Sequence, residues 1–285
     1  MRLANLSGRA VLLVGDGAVD VRQLTDGRFG PDPRDLLDRW QEFVDAVAPL
    51  LSAAVPTPFD STLLGPPIPE PRQVFAVGLN YADHAAEASL PNPEFPVVFT
   101  KFPTSLTGPY TEVALPSPGV DYEAELVAVI GREARNVAVA DGWAHIAGLM
   151  VGQDLSEREI QRRGPAPQFS LGKSFAGFAP TGPALVTVDE LADPGQLAIR
   201  GYIGDEVLQE SNTKELIFSI PQLVAYISSI CRMLPGDLIF TGTPAGVGLS
   251  HTPPRFLRPG ETLVTEIEGL GQLQTPLIAG YAATA

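Results

Sequence analysis

Positive charge is scarce in this chain: 19 Lys and Arg stand against 33 Asp and Glu, a formal charge of −14 over 285 residues. A phosphate backbone or an anionic bilayer would repel it, so neither nucleic acid nor a membrane surface is an expected partner. Cysteine is scarcer still. Cys231 stands alone, which excludes an internal disulfide and a thiolate metal site. It falls in an apolar helical pattern and is expected as a small core residue, in keeping with a reducing, cytoplasmic location. Three histidines, His84, His145 and His251, are too few for a histidine-rich zinc site. Long apolar runs are also missing. The N-terminal stretch MRLANLSGRAVLLVGDG has only a short one before Asp16, too short for a signal h-region or a membrane span.

What the chain has in quantity is punctuation, with 28 Gly and 28 Pro, and this favours many short strands and turns over a helical bundle. Residues 9–24 alternate around Asp16-Gly17 as a hairpin would, and Pro33–Ala54 places Leu36, Leu37, Trp40, Phe43, Val44 and Val47 at helical spacing. Six prolines between Pro56 and Pro71 then exclude a central strand or helix and read as an extended connector. A boundary near residue 68 therefore separates a small N-terminal β-plus-helix domain (1–68) from a larger domain (69–285). In the larger part VFAVGLNY, PVVFTKF, the stretch around DYEAELVAVIG, and HIAGLMVGQDL read as strands. Ser156 with Glu159 gives a capping-box pattern for a short helix, and Ser219-Ile-Pro221 opens a second helix with Leu223, Val224, Ile227 and Ile230 on its apolar face. The order lacks a βαβ rhythm, so a β-rich, mixed and mostly antiparallel α/β fold is expected.

Three glycine-containing lookalikes fail as nucleotide-binding loops. In LGKS the preceding Gly164 is too far from Gly172 for a P-loop, and neither Gly15-Asp16-Gly17 nor TGTPAGVG (241–248) fits a dinucleotide fingerprint. TGTPAGVG follows a strand, however, and its backbone N–H groups could form an anion-binding nest.

The chemistry concentrates elsewhere. Glu123 and Glu125 alternate into the same face at the head of an apolar strand, where like charges repel unless water screens them or a cation lies between. Asp154, at the end of a strand and ahead of a helix, offers a third carboxylate or an ordinary cap. Three carboxylates and water would suit octahedral Mg²⁺ or Mn²⁺. Arg158 and Gln161 share a helix face and could grip a substrate carboxylate, or simply face solvent. His84 and Glu87, three apart in LNYADHAAEA, can form an oriented imidazole, a candidate general base. Lys101 and Lys173 sit among small and aromatic neighbours, where a site lysine or a snorkelling one are both open readings.

Taken in order, VGLNYADHAAE, FTKFPTSLTGP, DYEAELVAVIG, QDLSEREIQ, SLGKSF and LPGDLIFTGTPAGVG resemble the fumarylacetoacetate hydrolase superfamily, in particular its acylpyruvase-like branch that hydrolyses 2,4-dioxo acids. The resemblance covers roughly the C-terminal part from Val77 to Gly248. It implies a mixed β-roll or β-sandwich core, a small N-terminal domain and a homodimer. It places one divalent cation, Mg²⁺ or Mn²⁺, on Glu123, Glu125 and Asp154. His84 and Glu87 then form a lid dyad, Lys173 is catalytic, and Lys101, Arg158, Gln161 and Thr243 face the substrate. The implied activity is hydrolysis of a carbon–carbon bond in a small 2,4-dioxo acid such as an acylpyruvate, fumarylacetoacetate or a diketo-deoxy sugar acid. Decarboxylation of a 2-oxo acid of the oxaloacetate type, keto–enol isomerisation on the same metal, and an inactive metal-binding scaffold are the alternatives. Leu79 stands where some acylpyruvase-like members carry a basic residue, and Ala176 follows KSF where others carry a polar one; both departures bear on the substrate.

Overall fold

The computed structural model describes residues 1–87 and 89–280. The chain opens with a meander, β1 (Arg2–Leu6), β2 (Arg9–Val14) and β3 (Gly17–Asp20), whose second turn is the expected Asp16-Gly17 hairpin. Three helices follow: α1 (Val21–Leu24), α2 (Pro33–Leu37) and α3 (Trp40–Val47). The single helix suggested by spacing is broken at Asp38-Arg39, yet Leu36, Leu37, Trp40, Phe43 and Val47 are all buried as the pattern requires. The proline-rich connector runs extended apart from one 3₁₀ turn, and β4 (Leu64–Gly65) pairs with β1.

The remaining strands and helices come in the order β5 (Val74–Gly78), α4 (Ala82–Glu87), β6 (Val97–Thr100), β7 (Leu106–Thr107), β8 (Val113–Leu115), β9 (Val120–Asp121), β10 (Ala124–Ile130), β11 (Ile146–Gln153), β12 (Ser156–Glu157), α5 (Arg158–Gln161) and α6 (Phe169–Gly172). After them come β13 (Ala179–Val186), β14 (Ala198–Ile203), β15 (Glu206–Asn212), α7 (Ile220–Ile230), β16 (Leu238–Phe240), β17 (Thr262–Ile267) and β18 (Gly271–Ala279). One large sheet runs β3-β2-β1-β13-β11-β10-β16-β5-β6; a second runs β15-β14-β17-β18-β8. Most pairings are antiparallel, with parallel contacts at β5–β16, β7–β13 and β8–β18. This is the β-rich mixed architecture the sequence indicated.

β10 explains its own apolar run. It lies between β11 and β16 and alternates between two cores: Leu126, Ala128 and Ile130 face the second sheet and α7, whereas Val127 and Val129 pack with Leu3, Leu12, Phe43, Met150 and Phe240. A strand covered on both faces needs apolar residues at every position. The N-terminal strands thus hydrogen-bond into the same sheet, through β1–β13, and share a core with β10.

Three local expectations are corrected. Glu157, not Ser156, caps α5 by accepting from the Ile160 N–H at 2.7 Å, while Ser156 turns back to donate to the Asp154 carbonyl. Helix α7 has the capping box of Ser219 and Gln222, but Ile230, at its last turn, is 69% exposed. Cys231 is exposed as well, because the residue ending the helix has left the apolar face.

Candidate metal centre

The ends of β10 and β11 that lie side by side, where Ala124 faces Gln153, bring the acidic residues together. Asp154 follows β11 directly and Glu123 precedes β10, their backbones joined by an Asp154 N–H to Glu123 carbonyl bond of 2.9 Å. Glu123, Glu125 and Asp154 each present a carboxylate oxygen, all within 4.8 Å of one another, and all three residues are buried. Asp121, two residues before Glu123, joins the same charged layer.

The positive partners are distributed unevenly. Lys173 Nζ donates to Glu123 (2.7 Å), Asp154 (2.6 Å) and the Ser156 hydroxyl (2.8 Å). Lys101 Nζ donates to the other Asp154 oxygen at 2.6 Å and to the Lys173 carbonyl. Arg158 pairs with Asp121 and Glu123, each at 2.7 Å, and its Nη1 donates to Gln161. Glu125 receives only the Gly242 N–H, at 2.8 Å, and no lysine or arginine reaches it among the described residues. The protonation tendencies follow. Burial raises the Glu123 carboxyl, but Lys173 and Arg158 overcome it and hold it near 2. Burial raises Glu125 too, and there Asp154 and Glu123 push it further up, well above the ordinary carboxylate value. Burial pulls the Lys101 ammonium down against the attraction of Asp154; Lys173, although burial lowers it, ends above its ordinary value because Asp154 and Glu123 hold its proton.

Four carboxylates face three cations in a buried layer, so without a further cation one carboxyl keeps its proton, and the upward shift places that proton on Glu125. Unpaired buried charge is costly, and all-oxygen donors are what a hard divalent cation takes. The residues present therefore fit such an ion.

Two buried glutamines fix the backbone that carries the glutamates. Gln153 accepts from the Glu123 N–H and donates to Thr265; Gln209, from β15 of the second sheet, accepts from the Ala124 N–H and donates to Thr243 and the Pro244 carbonyl. Sequence reading missed both, since their partners are far away along the chain. It missed Asp121 as well, although DYEAE repeats its acids with the same period of two.

The loop TGTPAGVG does gather anions, and they are the protein's own. Gly242 N–H binds Glu125, Gly246 N–H binds Glu87 at 3.0 Å, and Gly248 and Leu249 N–H bind the two oxygens of Asp121 at 2.7 and 3.0 Å. Glycine is required at two of these points: Gly242 has φ +104° with the Asn80 Cβ only 2.8 Å from where a side chain would begin, and at Gly248 a Cβ would meet Arg255 O and Asp121.

A cavity of about 490 Å³ opens above this layer. Glu123, Lys173, Arg158, Gln161, Thr243, His84 and Glu87 all line it; Lys101 does not, lying behind Asp154 and fully buried. His84 Nδ1 is 3.4 Å from Glu87 Oε2, their side chains 14% and 24% exposed. The other Glu87 oxygen takes the Gly246 N–H, so the carboxylate ties α4 to the glycine loop, and His84 Nε2 has no protein hydrogen-bond partner among the described residues.

Residues 73–278 match the family described as fumarylacetoacetate (FAA) hydrolase, C-terminal. A human protein named oxaloacetate tautomerase FAHD2A, mitochondrial, is 45% identical over 207 residues, 72% of this chain and 66% of that protein's length. An HpcE-type protein from Mycobacterium smegmatis superimposes with a TM-score of 0.93 at 51% identity, covering 99% of this chain and 100% of the other. A maleylpyruvate hydrolase from Sphingobium sp. SYK-6, solved with manganese(II) and pyruvate, does so with a TM-score of 0.81 at 28% identity over 99% and 100% of the two chains.

Proposed function

The chain belongs to the fumarylacetoacetate hydrolase family, and we propose that it is a Mg²⁺- or Mn²⁺-dependent enzyme that moves a proton next to the carbonyl of a small 2-oxo acid, a keto–enol tautomerase of the oxaloacetate type. Carbon–carbon hydrolysis, the activity implied first by the sequence resemblance, becomes the second reading, because the human relative at 45% identity is named a tautomerase. The observation that carries the proposal is a buried carboxylate layer short of one cation beneath a cavity that also holds a His–Glu dyad.

Glu123, Glu125 and Asp154 would hold the ion, which when bound supplies the positive charge that polarises a 2-oxo acid and favours its deprotonated form. Glu87 accepts from His84 Nδ1 and so fixes the tautomer that leaves Nε2 as the base. Nε2 takes a proton from the carbon beside the carbonyl and returns it at the alternative position. Lys173 bridges Glu123, Asp154 and the Ser156 hydroxyl and so screens the two carboxylates from one another at the cavity floor. Arg158, braced by Asp121, Glu123 and Gln161, orients the substrate carboxylate together with Gln161 and Thr243. We also propose that the division at residue 68 is one of labour: every residue named here lies in 69–285, and 1–68 supplies packing for β10. A homodimer and a cytoplasmic location complete the proposal. No helix among the described residues is long and apolar enough to cross a membrane.

The test is enol decay of oxaloacetate with added Mg²⁺ or Mn²⁺. The expected result is metal-dependent ketonisation that falls by roughly 10²-fold in His84→Ala, the scale of a general base, and less in Glu87→Gln. Tautomerisation that is unaffected by His84→Ala would remove the dyad from the mechanism. The second reading is favoured by the maleylpyruvate hydrolase likeness; it takes over if acetylpyruvate is cleaved and oxaloacetate is not tautomerised.

A further inference from the structure

The cavity is much larger than a four-carbon diacid requires. At roughly 30 Å³ per liquid water, its 490 Å³ equals the volume of about sixteen waters. The lining combines Glu123, Lys173, Arg158, Gln161 and Thr243 with the apolar residues Val77, Leu79, Leu90, Val97, Phe99 and Phe169. The apolar residues begin immediately beside the charged layer, since Lys173 Nζ lies 5.2 Å from the centre of the Phe99 ring. Phe99 and Phe169 meet edge to face at 5.5 Å, and Gly78 leaves the space against both rings open. Leu79, held at φ 53°, stands in this wall and brings no charge to it.

A second carboxylate on the substrate would find little to receive it. The Arg158 guanidinium, braced by Asp121, Glu123 and Gln161, is already assigned to the carboxylate at the oxo-acid end. Arg162 is the remaining arginine on the lining; it is exposed at the rim, where solvent screens it. Burying a carboxylate against the phenylalanines would cost free energy, whereas an alkyl or aryl group gains there.

We propose that the preferred substrate is a 2-oxo acid whose distal end is an alkyl or aromatic group seated on Phe99, Phe169, Val97 and Leu90, in place of a second carboxylate. The inference rests on the proton-transfer reading of the same site and specifies what lies beyond the oxo-acid end.

The experiment follows deuterium exchange at the carbon beside the carbonyl by NMR, with Mg²⁺ saturating. The substrates are 2-oxobutanoate, 2-oxohexanoate, 2-oxooctanoate, phenylpyruvate and oxaloacetate. For the monoacids kcat/KM is expected to climb by about fourfold per added methylene, the value of moving one CH₂ out of water, and to exceed that of oxaloacetate by 2-oxohexanoate. The slope of log kcat/KM against chain length should flatten in Phe169→Ala and in the milder Phe169→Leu, each checked for an unchanged circular dichroism spectrum. The wild-type slope decides the matter even if neither variant folds. A flat series, or oxaloacetate preferred with the preference removed by Arg162→Gln, overturns the inference and leaves the proposed function standing. Exchange on none of the five, oxaloacetate included, would instead defeat the proposed function.

Discussion

β10 carries charged residues at both of its ends, and the two ends have opposite fates. At its start Glu123 and Glu125 are buried with Asp154, Lys101, Lys173 and Arg158, every hydrogen bond specified. Past its far end Arg132, Glu133 and Arg135 point into solvent around a second, shallower cavity that also includes Asn136, Asp141 and His145. Glu133 has only a 3.8 Å contact with Arg232. Similar charge density by sequence has different consequences because desolvation decides what a charge costs. In water an unpaired arginine is nearly free; in a buried layer a carboxylate must have a partner or give up its charge. That no lysine or arginine reaches Glu125 among the described residues is thus informative, while Arg135, exposed to solvent, needs no partner.

The comparison breaks most decisively at the carboxylates. Glu125→Ala and Asp154→Ala should each abolish metal-dependent turnover and weaken Mn²⁺ binding by at least about tenfold, with the fold retained. Calorimetric titration checks this, and unchanged Mn²⁺ affinity in either variant would end the assignment of these residues as ligands.

Next in size is Lys101, which does not line the cavity above the carboxylates but neutralises a fully buried aspartate. Lys101→Met removes one side of that pair and should destabilise the protein by roughly 3–5 kcal/mol in urea unfolding, the scale for breaking a buried pair. A loss near zero would mean that Lys173 alone satisfies Asp154.

A smaller effect, and a signed one, comes from pH. Glu125 is raised in the folded protein, so its contribution to stability is complete below the ordinary value of 4.5 and is lost as pH rises through the folded value. Glu123, held near 2, contributes in the opposite sense: its share is present above 4.5 and lost as pH falls toward 2. With metal chelated, the melting temperature should therefore decline as pH is taken upward from mildly acidic, and saturating Mn²⁺ should abolish that decline by taking the place of the Glu125 proton. Melting curves that rise with pH alike in EDTA and in Mn²⁺ would contradict the charge deficit at Glu125.

The far end of β10 supplies the smallest effect. Arg132→Ala and Arg135→Ala, singly or together, should change unfolding free energy by no more than about 0.5 kcal/mol each and leave Mn²⁺ affinity as it is. A loss of metal binding from either would mean that the two ends communicate through the strand.

Much of the site could be read from the chain because its residues announce themselves locally. DYEAE alternates acids into one face, His84 and Glu87 are spaced for one helical turn, and TGTPAGVG has the glycines of a loop that presents N–H groups. The same locality misled at Ser156, where a capping pattern was present but the chain continued as strand and Glu157 became the cap. It misled at Cys231 too, since helical periodicity does not say where the helix stops.

What the amino-acid order determined by itself was composition, several of the strands with the face that Glu123 and Glu125 share, and the family to which the motifs belong. Those follow from the period of two, turn chemistry and charge, which act between residues close along the chain. Tertiary structure alone decided who pairs with whom. Lys173 meets Glu123 fifty residues away, Gln209 reaches Ala124 across the two sheets, Lys101 disappears behind Asp154, and Glu125 is left with one N–H. The physical reason is that a side chain's protonation and partners depend on how much water the fold removes from around it, and that quantity exists only once distant segments have packed.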